Sequence, residues 1–219
     1  MSGFLGSTVG KKYLMGITGL VWAGFVLAHM AGNLLIFVSN DAYNAYGHAL
    51  TSGNIIYVAE AVLVLALIVH VFCALSLTKN NREAKQQRYA VAAGGKKKVT
   101  LASRTMAVQG SLILVFIILH LITFKYGTHY ETTVNGVVMR DLAKLMFEVF
   151  QSPAYIAWYV VCLVLLGFHL SHGVGSTFQS LGLMEGTYRN TWKKLSYGYA
   201  VVVAAGFIAQ PVYIFLVGN

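Results

Sequence analysis

The sequence predicts an all-α fold, an integral membrane bundle of five transmembrane helices, from three observations. Hydrophobic residues make up 57% of the 219-residue chain, charged residues only 11%, and prolines number two, a balance too apolar for a water-soluble domain. Five long apolar windows, 13–38, 55–77, 106–124, 155–175 and 197–217, can each cross about 30 Å of hydrocarbon, which takes roughly 20 helical residues. Basic residues are segregated between alternate connections. With short connections throughout, residues 1–219 form one transmembrane unit.

The first window has no small-residue cleavage pattern after it and is too long and aromatic for a signal-peptide core, so it counts as a membrane helix. It carries His29 and a run of small residues, Gly16, Gly19, Gly24 and Gly32. The second carries Glu60 and His70, the third Gly110 and His120, the fourth His169 and His172 among Gly167, Gly173 and Gly175. The fifth has no histidine, as expected of a supporting helix. The connection 78–104 is rich in Lys and Arg but poor in apolar residues, which predicts a helical extension and a turn broken at Gly94-Gly95.

Short cytoplasmic loops retain Lys and Arg. Lys11, Lys12, Lys79, Arg82, Lys85, Arg88, Lys96, Lys97, Lys98, Arg104, Arg189, Lys193 and Lys194 fall on one side, thirteen of the 16 basic residues. Lys125, Arg140 and Lys144 fall on the other, with Asp41, Glu131, Asp141 and Glu148. The N-terminus is therefore expected in the cytoplasm and the C-terminus outside. Membrane insertion accounts for the +9 charge without a nucleic-acid partner. It also leaves a basic inner surface suited to an acidic protein. Cys73 and Cys162 lie in apolar windows and read as small core residues. The chain has no CxxCH, CxxC, HExxH or phosphate-binding glycine loop, which leaves covalent c-type haem, zinc, nucleotide and flavin sites without support.

Five histidines, His29, His70, His120, His169 and His172, fall inside the windows, with His48 and His129 in or near outer connections. Ionisable groups within a membrane mark functional sites by default, although a single neutral histidine can equally bond a neighbouring helix. Depth separates the two readings. His29 lies 16 residues beyond Tyr13, His70 15 beyond Ile55, His120 16 beyond Arg104 and His169 16 beyond Pro153, about 22–24 Å along each helix. Because the helices alternate in direction, His29 and His120 share a level near the outer face. His70 and His169 share one near the inner face, about 16 Å away. Two imidazoles at each level, with no cysteine or carboxylate beside them, suit a metal whose remaining donors come from a porphyrin. Coordinated on both sides, such a centre carries electrons. His172 is one turn from His169, with its side chain turned by roughly 60°. Only His169 matches the depth of His70, so His172 is expected in a supporting position.

The chain resembles the cytochrome b membrane-anchor subunit of succinate:quinone oxidoreductases and fumarate reductases, in its single-subunit, five-helix, dihaem form. The likeness covers nearly the whole chain and rests on GITGLVWAGFVLAHMAGN (16–33), YNAYGH (43–48), VLALIVH (64–70), SRTMAVQGSLILVFIILH (103–120) and FHLSHG (168–173). It implies two haem b cofactors, the distal one held by His29 and His120 and the proximal one by His70 and His169. It implies a flavoprotein subunit and an iron–sulfur subunit on the cytoplasmic face, a bacterial cytoplasmic membrane, and a quinone, menaquinone in this class, bound near the outer haem. His48 matches a histidine found in this connection in some members. His48 and Glu60 are the candidate quinone-site residues, and Arg104 and His172 the candidates for the proximal propionates. The spacing of 13 residues from His169 to Gly182 also follows the family. Gly167 stands where some dihaem members have an acidic residue, which removes one carboxylate from any transmembrane proton path. The reaction direction and the oligomeric state, a dimeric complex included, stay open. So do two alternatives: the dihaem cytochrome b of a hydrogenase or formate dehydrogenase, and a transporter with intramembrane histidines.

Overall fold

The computed structural model describes residues 3, 6–84, 100–184 and 188–218. Seven α-helices are present among them: α1 (Thr8–Asn33), α2 (Asn40–Thr51), α3 (Ile55–Glu83), α4 (Leu101–His120), α5 (Leu142–Phe150), α6 (Pro153–Ser180) and α7 (Arg189–Val217). Of these, α1, α3, α4, α6 and α7 are long and apolar enough to cross a membrane, α1 together with a 3₁₀ turn to Phe37 and α4 with a π turn to Lys125. They correspond one for one to the five apolar windows and run past them, because polar ends continue the backbone ladder beyond the apolar run. Ser7 and Thr100 accept from the amides of Gly10 (3.0 Å) and Ser103 (3.2 Å), and Pro153 opens α6, where its missing N–H costs nothing. The helical extension expected after the second window reaches Glu83. Gly94-Gly95 and the basic residues Lys85, Arg88, Lys96, Lys97 and Lys98 lie outside the described residues.

The packing order sets the geometry of the interior. α1 packs against α3 and α6, while α4 packs against α6 and more thinly against α3. The four helices that carry the intramembrane histidines thus form a ring, with α1 opposite α4 and α3 opposite α6. α7 lies outside it, mainly against α6, where Leu170, Ala200 and Val203 are buried. α3 and α4 are the least enclosed helices: α4 buries only Gln109, and α3 turns Val64, Leu65, Ile68, Phe72 and Leu75 outward. Outward apolar residues of this kind suit hydrocarbon rather than water.

One end of the ring carries a cap that the sequence analysis did not anticipate. It comprises α2, α5 and a β-hairpin, β1 (Glu131–Val134) and β2 (Val137–Arg140), with Glu131 opposite Arg140 and Val134 opposite Val137. The all-α expectation therefore holds for the bundle and not for this connection. The hairpin has a local cause: β-branched residues flank Asn135-Gly136, both at positive φ (51° and 80°), the dipeptide that favours a tight two-residue turn. α5 buries Ala143, Leu145, Met146 and Phe150 along one stripe, and Ala143, Met146 and Phe150 pack with Ile36, Tyr159, Leu163 and Ile214 into the principal core cluster. Asn44, 2% exposed, ties α2 to the start of α5: its amide donates to Asp141 Oδ1 (2.8 Å) and its Oδ1 accepts from the Ala143 amide (2.9 Å).

Replacing Asn44 by Ala removes both bonds and leaves the Ala143 N–H buried without a partner. The expected loss is about 2–3 kcal/mol, read as a lower thermal midpoint of the detergent-solubilised protein and earlier protease cleavage between residues 126 and 141. Asn40→Ala, on the exposed start of the same helix, should leave both unchanged.

Candidate functional site

The ring brings the histidines together in two pairs across its diagonals. His29 of α1 and His120 of α4 have ring centroids 5.9 Å apart at an interplanar angle of 84°. His70 of α3 and His169 of α6 are 6.4 Å apart at 61°. Imidazole nitrogens about 2.0–2.1 Å either side of one metal ion put the ring centroids roughly 6 Å apart, the separation found at both pairs. The His29–His120 pair lies near the capped end, and the His70–His169 pair toward the opposite end, where Lys11, Lys12, Lys79, Arg82, Arg104, Arg189, Lys193 and Lys194 stand.

Hydrogen bonds to the other ring nitrogens bear on which nitrogen each imidazole can offer. Thr18 Oγ1 donates to the Leu14 carbonyl (2.8 Å), so toward His70 Nδ1, 3.2 Å away, it is the acceptor. His70 then carries its proton on Nδ1, and Nε2 keeps the lone pair a metal needs. His120 Nδ1 lies 2.9 Å from the Tyr159 hydroxyl, which also meets Tyr155, and Tyr155 in turn meets Thr123 Oγ1. His29 differs. Its two ring nitrogens lie 3.3 and 3.4 Å from the Asn33 amide nitrogen, which donates at 2.7 Å to the His29 carbonyl. Tyr43 fixes that amide by donating to Asn33 Oδ1 (2.9 Å), and burial pushes the Tyr43 phenol up, so it stays a donor. For His29 to ligate, its ring must turn away from Asn33. The buried His169 Nδ1 has no partner.

These features fit haem. Two imidazoles face each other at each level, the donor set that haem b would take; among the described residues no three His, Cys, Asp or Glu side chains gather. Gly19 and Gly110 stand against His70 and His169, where an added Cβ would meet each Cε1 at 3.6 Å. Aromatic rings surround the upper pair: Phe25 stacks on His29 at 5.3 Å, and Phe116 and Phe124 lie 5.9 and 5.3 Å from His120. His172 is half-buried and makes no hydrogen bond or ring contact among the described residues. Arg104 is exposed at the basic end of α4, likewise without a bonded partner among them.

His48 and Glu60 meet at the capped end. His48 sits on α2 rather than in a loop, and both line a cavity of about 320 Å³ with Tyr57, Lys125, His129 and Arg140. Glu60 is ion-paired with Lys125, joining α3 to the end of α4. A π turn aims that lysine: Tyr126 N–H bonds the Leu121 carbonyl (2.9 Å), one residue further back than an α-helix allows. Only glycine fits at position 127, because a Cβ there would overlap the Thr123 carbonyl. Arg140 then closes the turn by donating to the carbonyls of Lys125 (3.1 Å) and Thr128 (3.2 Å).

Thr18, Asn33, Tyr159, Lys125, His129 and Arg140 carry no site role in the sequence analysis. Most answer to a partner on another element, which spacing along one helix does not reveal; only Asn33, one turn beyond His29, was within reach of an i,i+4 reading. No protein-family model, curated protein or solved structure matches the chain.

Proposed function

We propose that this chain is the dihaem cytochrome b subunit that anchors a succinate dehydrogenase or fumarate reductase in the bacterial cytoplasmic membrane. It passes electrons between an iron–sulfur subunit and a quinone, menaquinone by the resemblance. The observation that carries the reading is the two imidazole pairs, set across the two diagonals of one helix ring at two depths. In this reading the chain is an enzyme subunit with no flavin or dicarboxylate site of its own, and its basic end faces the cytoplasm and receives the flavoprotein and iron–sulfur partners.

Haem b bound at each pair would supply a one-electron couple with no open coordination position. The chain's own residues do the rest. His70 and His169 hold the group nearer the partners, and His29 and His120 the group nearer the cap. The aromatic rings of Phe25, Phe116, Phe124 and Phe207 around the upper pair exclude water and lower the local dielectric. His48 and Glu60 bind the quinone headgroup from the cavity beneath α2, where Lys125 holds the Glu60 carboxylate in place.

The test is the complex expressed with its partner subunits and purified in detergent. Two haems b per chain, two midpoint potentials and succinate-dependent quinone reduction are expected. One haem or none overturns the reading. A haem spectrum that hydrogen or formate reduces and succinate does not would assign the chain to the hydrogenase or formate dehydrogenase type instead.

His169→Ala should remove one haem and abolish succinate-to-quinone electron flow while the protein still inserts, and His172→Ala should keep both haems. The opposite result would shift the lower site by one helical turn. His48→Ala and Glu60→Gln should raise the KM for quinone several-fold with both haems retained; an unchanged KM removes these residues from the quinone site. A reporter fused after Asn219 should read as extracytoplasmic and one inserted between residues 80 and 98 as cytoplasmic, with the reverse pattern inverting the orientation.

A further inference from the structure

Each imidazole pair borrows a hydroxyl from a helix that ligates the other pair. Thr18 lies on α1, which contributes His29 to the upper pair, yet it serves His70 of the lower pair. Tyr159 lies on α6, which contributes His169 to the lower pair, yet it serves His120 of the upper one. The two offsets along the chain are similar and of the same sense: Thr18 precedes His29 by 11 residues and Tyr159 precedes His169 by 10. Because α1 and α6 run in opposite directions, this one spacing reaches the lower level from α1 and the upper level from α6. The other two imidazoles lack such a hydroxyl: His29 faces the Asn33 amide and the buried His169 Nδ1 has no hydrogen-bond partner.

Resting on the dihaem reading, we infer that Thr18 and Tyr159 are positioning residues, each holding one histidine of one haem with its proton on Nδ1 and its Nε2 turned to iron. The direction of each bond follows from where the proton sits. Thr18 gives its proton to a helix carbonyl at Leu14, a bond made within its own helix. Tyr159 lies with its hydroxyl 2.9 Å from His120 Nδ1, and an imidazole that ligates through Nε2 carries its proton on Nδ1, so toward His120 the phenol oxygen accepts. Both oxygens are left to accept from Nδ1–H. An imidazole that donates from Nδ1 is a more electron-rich ligand through Nε2, which favours the ferric over the ferrous state. Loss of the acceptor therefore raises the potential of that haem and loosens it. Removing such a partner typically weakens metal binding by about 10–100-fold. His29 and His169, without hydroxyl partners, are the ligands through which neither substitution acts, so each effect is confined to one haem.

The experiment uses the purified complex with Thr18→Val, which keeps the shape and removes the oxygen, and Tyr159→Phe, which keeps the ring in the core. Redox titration followed optically, and the low-spin ferric resonances in electron paramagnetic resonance, resolve the two haems. Thr18→Val should raise one midpoint potential and move its resonance while the other haem stays put. Tyr159→Phe should do the same to the other haem. Faster haem loss to apomyoglobin should accompany each shift, and Thr18→Ser should restore the wild-type value. Both variants leaving both potentials unchanged in a protein that holds two haems would overturn the inference and leave the dihaem reading intact. So would either variant moving both haems equally, which marks a general structural change. Wild-type protein without haem would overturn the dihaem reading and this inference with it.

Discussion

An imidazole in hydrocarbon must be satisfied from within the protein, and the interior of this bundle is organised around that constraint. Four such rings at two levels would leave eight nitrogens away from water, where each unpaired polar group costs several kcal/mol. The structure meets half of them locally, through Thr18, Tyr159 and Asn33. It leaves one nitrogen of His70, one of His120 and the buried His169 Nδ1 without a hydrogen-bonding side chain among the described residues. A histidine whose only task was to bond a neighbouring helix would need one partner. Here the rings also come in facing pairs, which is the observation the proposed dihaem reading rests on.

The same constraint explains how the ring of helices closes. Lipid chains are as apolar as leucine, so apolar surface gives little drive for one membrane helix to join another. α4 illustrates this: it buries only Gln109, and its ties to the rest are largely polar or aromatic. His120 reaches Tyr159, Thr123 reaches Tyr155, and Lys125 reaches Glu60. The π turn after His120 serves all three, because the extra residue changes which faces of the last turn meet α6 and which meet α3. A straight α-helical continuation would turn Thr123 and Lys125 by roughly 100° relative to His120 and lose at least one of these contacts.

Much of this was legible in the sequence, and the rest failed for identifiable reasons. The five long helices follow from apolar length alone, because a membrane span must satisfy its own backbone. The pairing of His29 with His120 and of His70 with His169 was readable as depth, since rise per residue is fixed and successive helices reverse direction. Which diagonal each pair occupies was not readable, because it depends on the packing order around the ring. The hairpin has a local signal in Asn135-Gly136 between β-branched residues, but its two four-residue strands are too short to show a period of two. α5 was hidden differently: LAKLMFEVF is too short to span a membrane, and its apolar stripe has meaning only once the open end of a bundle needs covering. His48 reads as lying in or near a connection because α2, with Asn, Asp and Gly among its twelve residues, has weak intrinsic helix propensity. Its stability comes from the Ser39 cap and from the anchoring of Asn44 to α5.

The cap and the upper imidazole pair depend on each other through a short path. α2 is held by Asn44, and one residue away Tyr43 donates to Asn33, whose amide rests against His29. A movement of α2 therefore reaches a ring nitrogen of the upper pair through two hydrogen bonds. α2 also carries His48 into the cavity that Glu60 and Lys125 line. On the proposed reading the His29 ring turns away from Asn33, and the link that remains from α2 is the Asn33 bond to the His29 carbonyl (2.7 Å). The lower pair has no such path. His70 is held by Thr18 in the middle of a continuous helix, and His169 lies in the interior of α6, both remote from the cap. The two imidazole pairs thus differ in mechanical context: one is fixed by the bundle, and the other answers to the element that covers it.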